Sequence, residues 1–277
     1  MILANHSPRL FYDDMTTRDN ETAPTCDLYV CGFPCQPFSI SGKKLCLEDG
    51  RGQVGFYCLD YIRTKKPTHF VLENVKHFTS CQDGKVFELF MNELRSIQGY
   101  HVHCKILNTS DYGIPQSRNR LYIVGTQKKD FVFPDPVPRL SLSCFIDHDD
   151  TSETNTSHTR CDRASICREL SRQMMDRNLP VVFFDQLHMQ RSKVDCINKG
   201  GYPVCPCITA NSYHWNVPMG RKANIKELLM LQGLPPDIDC SPVPETAMRR
   251  LIGNAMSANV LEHIFRSLFL PRTPHQM

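Results

Sequence analysis

The feature that most constrains the fold is a short apolar run, Leu28 to Cys31, which stops at Gly32 and Pro34. The run is too short for a helix and is typical of a buried strand, because glycine and proline prevent its continuation. Cys35 follows it directly and lies between two prolines. Ligands of open α/β sheets bind beyond the carboxyl ends of the strands. The pattern therefore predicts a thiol on a stiff loop at that edge of a sheet.

The next hundred residues alternate between helical and strand-like patterns. Helical apolar spacing is followed by Gly or Pro stops, and the β-prone runs between the helices are short. Such alternation predicts an α/β fold with a mostly parallel sheet. The predicted elements are a strand ending at Asp14, a helix at 54–65, a strand at 68–72, a helix at 85–98, and strands at 101–107 and 118–125.

Beyond residue 127 the α/β rhythm disappears. The composition around 128–138 changes to proline and charge, and the stretch up to about 222 is irregular, which predicts a second, smaller lobe. Order returns at Asn224, a helix N-cap with Glu227 at the capping-box position. A helix that begins at Asn224 and a terminal helix through 260–268 complete the chain.

Composition excludes few functions. The formal net charge of +3 is too small to indicate a nucleic-acid partner by itself. No apolar run of about 20 residues and no signal-peptide pattern occur, so we expect an intracellular protein without a membrane span, nuclear or cytoplasmic. The cysteine pairs lack the C-x-x-C spacing of zinc sites, and we expect no metal.

Three predicted strand ends offer a thiol, a carboxyl and two cations: Cys35, Glu73, Arg118 and Arg120. Residues two apart in extended chain point to the same side, so both arginines are expected to face one pocket. A thiolate can attack an electron-poor carbon while an acid and fixed cations hold its ring. Taken singly, each residue has a simpler interpretation: a buried cysteine, a helix cap, or a solvated strand end.

Taken in order, the motifs around these residues match a known family. In sequence and spacing they resemble ordered motifs of the DNA cytosine-5 methyltransferases over nearly the whole chain, which implies a Rossmann-like methyltransferase sheet and a smaller target-recognition lobe. The motifs are Gly32-Phe-Pro-Cys-Gln-Pro-Phe-Ser39, Glu73-Asn-Val75, Gln116-Ser-Arg-Asn-Arg120, Leu231-Gln-Gly-Leu-Pro235 and Gly253-Asn-Ala255.

The resemblance implies methyl transfer from S-adenosylmethionine to C5 of a cytosine flipped out of double-stranded DNA. Cys35 would add to C6 of the ring, and Glu73 would bind N3 and the amino group. Arg118 and Arg120 would hold the base and order the pocket. A monomer would suffice for this chemistry.

The resemblance also implies the remaining sites and boundaries. Asp14, Pro34 and Asn254 would contact the cofactor, and the loop from Ser39 to Gly52 would close over DNA. Residues 1–126 would form the catalytic domain, 127–222 the target-recognition domain, and 223–277 helices that return to the catalytic domain. The DNA-binding residues would be Ser41, Lys43, Lys44, Arg51 and Gln116.

One departure from the family pattern leaves alternatives open. Family members begin with a strand and a Phe-x-Gly-x-Gly turn that cradles the cofactor, and neither precedes Asp14 here. We therefore expect either an incomplete chain or a weak or inactive DNA-binding relative. An RNA cytosine-5 methyltransferase is the other alternative. The branch that modifies transfer RNA typically carries a Cys-Phe-Thr signature in its recognition region, and this sequence has none, which favours DNA.

Overall fold

The computed structural model describes residues 1–33, 54–128, 130–150, 163–178, 180, 182–186 and 204–270. The chain forms two compact units. The sheet unit comprises Pro8–Leu107, Asn119–Asp135 and Ile264–Met277, and the second unit comprises Met1–Ser7, Asn108–Arg118 and Pro136–His263.

A four-stranded sheet forms the centre of the sheet unit. Its strands are β1 (Leu28–Gly32), β2 (His69–Val75), β3 (His101–Asn108) and β4 (Asn119–Thr126), in the order β1-β2-β4-β3. β1 and β2 are parallel, and helix α2 (Val54–Lys65) lies in the crossover connection that parallel strands require, whereas β2 and β4 are antiparallel. The described sheet is therefore mixed.

Helix α3 (Lys85–Ser96) packs with α2 against a shared apolar core. Its buried positions, Val86, Phe90, Met91 and Leu94, are spaced at three or four residues or adjoin such a position, and so form one stripe of the helix. A 3₁₀ segment, Lys76–Gly84, joins β2 to α3 and buries Phe78 in the same core. This core supports the strand ends where the predicted catalytic residues lie.

The second unit contains a small antiparallel sheet and several helices. The elements are α1 (Ile2–Asn5), α4 (Arg163–Asp176), β5 (Phe183–Asp185), β6 (His214–Asn216), β7 (Arg221–Lys222), α5 (Ile225–Leu231), α6 (Glu245–Asn254) and α7 (Ala258–Phe269), whose last residues belong to the sheet unit. The sheet has the order β5-β6-β7, and Trp215 of β6 is fully buried against helix α4.

A buried ion pair supports the start of α5. Arg221 donates two hydrogen bonds to the Glu227 carboxylate, at 2.9 and 3.0 Å, and both side chains are almost fully buried. Glu227 also completes the predicted capping box with Asn224. The helix start is thus fixed by the cap and by an almost fully buried charge pair.

The predicted α/β class is confirmed, and so are α2, which was expected at 54–65, and the capping box. The strand predicted to end at Asp14 is wrong: residues 9–14 are irregular, and Leu10 and Phe11 are exposed. The run has no ladder partner among the described strands, and a strand needs one. Glu73 was expected just after a strand and lies within β2. The three-part domain division stays a prediction.

No helix within the described ranges is long and apolar enough to cross a membrane.

Candidate active site

Glu73 and Arg120 form a shielded ion pair at the end of β2. Arg120 Nε lies 3.1 Å from Glu73 Oε1, and the two side chains are 13% and 10% exposed. The register explains the pair: Val75 lies opposite Arg120, and Glu73 lies opposite Tyr122, so the two charged residues are diagonal neighbours on one face. The sheet itself therefore orients the carboxylate.

The chain leaves β1 beside this carboxylate. Gly32, the last residue of β1, is in register with Glu73. Phe33 follows, buried, with its ring stacked on Phe90 at 5.3 Å and edge-on to Phe78 at 5.6 Å. These contacts fix the backbone two residues before Cys35.

The Asn74 side chain adds hydrogen bonds where the chain leaves β1. Its Nδ2 donates to the Phe33 carbonyl at 3.4 Å, and its Oδ1 accepts from the backbone N–H of Val75 at 2.8 Å. The side chain is almost fully buried. Asn74 belongs to the Glu73-Asn-Val75 motif, and no role is predicted for it from the sequence; an amide directly after a predicted strand-end carboxyl was the signal that could have found it.

Two thiols lie in contact between β1 and α2: those of Cys31 and Cys58. Cys31 Sγ and Cys58 Sγ lie 3.3 Å apart, and Cys58 donates its S–H to Cys31. This hydrogen bond lowers the pKa of Cys31 and raises that of Cys58. Among the described cysteines, nine are free and Cys81 is disulfide-bonded. Cys31 lies four residues before the predicted nucleophile in the sequence.

Arg118 does not lie in an extended strand, because β4 begins at Asn119. The expectation that Arg118 and Arg120 share one strand face is therefore wrong. The Arg118 guanidinium, 2% exposed, donates to the backbone carbonyls of Ile208, Gly253 and Ala255. It also lies 3.6 Å from Cys207 Sγ, and these contacts are all with residues of the second unit.

Gln116 is also buried rather than presented at the surface. Its Nε2 donates to the Leu231 carbonyl at 2.7 Å and to Gln232 Oε1 at 3.1 Å, and its Oε1 accepts from the backbone N–H of Ile208 at 3.2 Å. The side chain has no exposed surface. These contacts are structural, so we do not include Gln116 among the residues proposed to touch DNA.

Gly253 and Asn254 end helix α6 next to the 209–210 backbone. A Cβ built on Gly253 would lie 2.2 Å from the carbonyl carbon of Thr209 and 2.4 Å from the nitrogen of Ala210. Only glycine fits there. Asn254 is exposed, and its side-chain amide makes no hydrogen bond within the part of the chain that the structure describes.

Other predicted residues lie outside the described ranges. They are Pro34, Cys35, Ser41, Lys43, Lys44 and Arg51. Within those ranges, no cluster of three or more His, Cys, Asp or Glu side chains could hold a metal ion.

Comparison with protein families decides what this arrangement belongs to. The family model described as C-5 cytosine-specific DNA methylase matches residues 3–270. The chain belongs to this family. It is 33% identical over 255 residues to the type II methyltransferase M.NgoBI of Neisseria gonorrhoeae, covering 91% of this chain and 76% of that protein. It is also 33% identical over 261 residues to M.HaeII of Haemophilus aegyptius, covering 93% and 78%.

Solved structures support the fold of this methylase. The Entamoeba histolytica methyltransferase EhMeth aligns with a TM-score of 0.55 at 17% identity, covering 91% of this chain and 82% of that one. Spodoptera frugiperda DNMT2 aligns with a TM-score of 0.50 at 18% identity, covering 88% and 79%. The protein is thus a DNA (cytosine-5-)-methyltransferase by family, with the methyltransferase fold.

The described residues of this methylase offer groups that suit S-adenosylmethionine, whose adenine and amino-acid portions carry hydrogen-bond donors and acceptors. Asp14 is exposed, and its Oδ1 accepts from the backbone N–H and the hydroxyl of Thr16, both at 2.8 Å. These bonds lower the pKa of the Asp14 carboxyl. Oδ2 makes no hydrogen bond within the described residues. Within the sheet unit, the Asp14 carboxylate is an acceptor that suits an amine, and within the second unit the exposed Asn254 amide offers a donor and an acceptor.

Proposed function

We propose that this chain transfers a methyl group from S-adenosylmethionine to C5 of a cytosine flipped out of duplex DNA, through a covalent adduct with Cys35. The observation that carries the proposal is the shielded Glu73–Arg120 pair beside the exit of β1. The Glu73 carboxylate there is paired with the Arg120 guanidinium, and in the sequence the end of β1 is followed by Cys35.

The residues perform distinct parts of the reaction. The Cys35 thiolate forms a bond to C6 of the ring, and the electrons of the 5,6 double bond move towards C5. Glu73, as the acid, donates a proton to N3 and accepts a hydrogen bond from the amino group, which draws electron density from C6, and Arg120 keeps the Glu73 side chain in place. S-adenosylmethionine, when bound, supplies the methyl group. Once C5 carries the methyl group, a base takes its proton, the electrons of that C–H bond restore the 5,6 double bond, and the bond from sulfur to C6 breaks to return the Cys35 thiolate.

Asn74 and Phe33 act indirectly in this scheme. They fix the backbone that leads into the nucleophile, one through a hydrogen bond and the other through aromatic packing. Correct positioning of a nucleophile is worth a large part of a reaction barrier. Both residues therefore count as positioning residues.

Trapping with a fluorinated base tests the proposal without knowledge of the target sequence. One strand of a mixed-sequence duplex carries 5-fluorocytosine at every cytosine, and the protein is added with S-adenosylmethionine. Because fluorine at C5 cannot leave as a proton does, a reacting enzyme stays covalently bound to the DNA. We expect a denaturant-resistant adduct from the wild type and from the Cys104→Ala control, whose thiol is exposed.

The variants give the sharper result. Cys35→Ala should form no adduct, and Glu73→Gln should form it roughly 10²–10⁴-fold more slowly. A duplex that binds but forms no adduct with the wild type would support an inactive DNA-binding relative instead. An adduct that persists in Cys35→Ala would exclude Cys35 as the nucleophile, and an adduct only with fluorinated RNA would make RNA the substrate.

A further inference from the structure

The Arg118 guanidinium joins two segments of the second unit that are remote in sequence. Its Nη1 donates to the Ile208 carbonyl at 2.6 Å. Its Nη2 donates to the carbonyls of Ala255 at 2.7 Å and Gly253 at 3.3 Å. Nη2, at one end of the forked guanidinium group, is therefore bonded to the residues on both sides of Asn254.

The backbone of Arg118 is itself fixed. Its N–H donates to Asn108 Oδ1 at 2.9 Å, and its carbonyl accepts from the N–H of Thr109 at 3.1 Å. The fork is rigid and planar, and burial excludes water from competing for the carbonyls. Lysine has a single, flexible ammonium group and cannot reproduce bonds to three carbonyls in this geometry.

The segment that Arg118 holds has little freedom of its own. Gly253 packs directly on the backbone of 209–210, without room for a Cβ. Asn254 lies exposed between two carbonyls that the guanidinium binds, and its amide is free within the described residues. An exposed amide on a backbone fixed from both sides is a pre-organised ligand group.

We propose that Arg118 is a positioning residue for the methyl donor, and that it acts through Asn254 rather than on the flipped cytosine. The inference rests on the proposed function, because it takes Asn254 as a contact of S-adenosylmethionine. Through Ile208, the same guanidinium also fixes the 207–210 segment. Loss of the guanidinium should therefore disturb both segments that meet at Gly253, 253–255 and 207–210.

A double-mutant cycle on cofactor binding tests this role. Calorimetry measures the dissociation constant of S-adenosylhomocysteine for the wild type, Arg118→Lys, Asn254→Ala and the double variant. We expect Arg118→Lys to weaken binding about tenfold, the loss expected for about one hydrogen bond. Because Arg118 acts through Asn254, the double variant should bind no more weakly than Asn254→Ala alone. The matched control, Arg172→Lys, changes an exposed arginine of the same unit and should bind like the wild type.

Steady-state kinetics separates positioning from a contact with the base. Arg118→Lys should raise the KM for S-adenosylmethionine and leave kcat at saturating cofactor within about twofold. A base-holding arginine would instead lower kcat and leave the affinity for S-adenosylhomocysteine unchanged, which would overturn the inference. Equal weakening by Arg118→Lys in the wild-type and Asn254→Ala backgrounds would also overturn it, as would no binding by the wild type.

Hydrogen exchange of the wild type provides a test that needs no variant to fold. Adding S-adenosylhomocysteine should slow exchange in peptides that contain residues 253–255, and unchanged exchange there would contradict the inference. The fluorocytosine adduct is scored separately. If the double-mutant cycle shows coupling between Arg118 and Asn254 but no adduct forms, the proposed reaction is rejected and the role of Arg118 is kept. If an adduct forms but the effects of the two substitutions are additive, the role of Arg118 is rejected and the proposed reaction is kept.

Discussion

Replacing Arg221 by methionine should strongly destabilise the second unit. The substitution leaves the fully buried Glu227 carboxylate without its cation and removes the donor to the carbonyls of Asp147 and Asp150. Removing one partner of a buried ion pair lowers the free energy of unfolding by about 3–5 kcal/mol. Asn216 Nδ2 and two backbone N–H groups still bind the carboxylate, so we expect the lower end, about 3 kcal/mol.

Trp215, the only tryptophan in the sequence, reports directly on unfolding of this unit. With a urea dependence of about 2 kcal/mol per molar, a loss of about 3 kcal/mol lowers the unfolding midpoint by about 1.5 M. The matched control is Arg172→Met on α4, whose ion pair with Glu169 is largely exposed and should contribute less than about 1 kcal/mol. Equal midpoints for the two variants would refute the reasoning that burial makes the Arg221 pair important.

Three other results are expected. A hydrogen bond from Lys226 lowers the pKa of Asp147 below its ordinary 3.8, so the stability that this carboxylate contributes is present above pH 3.8 and lost as the pH falls below it. When stability is followed by Trp215 emission, Lys226→Met should therefore show a smaller loss of stability on acidification than the wild type does. Gly253→Ala should lower the unfolding free energy by about 1–3 kcal/mol, because its Cβ would overlap backbone, and a wild-type melting curve would contradict this contact. Cys58→Ala should raise the pKa of Cys31, measured from the pH dependence of its alkylation, and an unchanged pKa would exclude the thiol hydrogen bond as its cause.

The local elements could be predicted because their signals are local. The apolar spacing of residues 54–65 and the Pro67 stop define α2, and Asn224 with Glu227 defines the start of α5. The strand before Cys35 was predicted from four apolar residues and two breakers, and it is β1. Glu73 was correctly expected near a strand end, although β2 continues for two residues past it.

Side-chain partners across long sequence distances could not be predicted. Arg118 looked like a strand residue two positions from Arg120, yet the strand begins one residue later and its guanidinium binds carbonyls some 90 to 137 residues away. Nothing local in the sequence encodes those partners. The strand expected before Asp14 failed for a related reason, since β-prone residues form a strand only where a neighbouring strand can pair with them.

The most direct test of the account is the identity of the methylated nucleoside. Mixed-sequence duplex DNA is incubated with the protein and isotope-labelled S-adenosylmethionine, digested to nucleosides and analysed by mass spectrometry. The account predicts labelled 5-methyl-2′-deoxycytidine with the wild type, and none with Cys35→Ala. Label at the exocyclic N4 of cytosine, label on adenine, or no label on DNA that the protein demonstrably binds would contradict it.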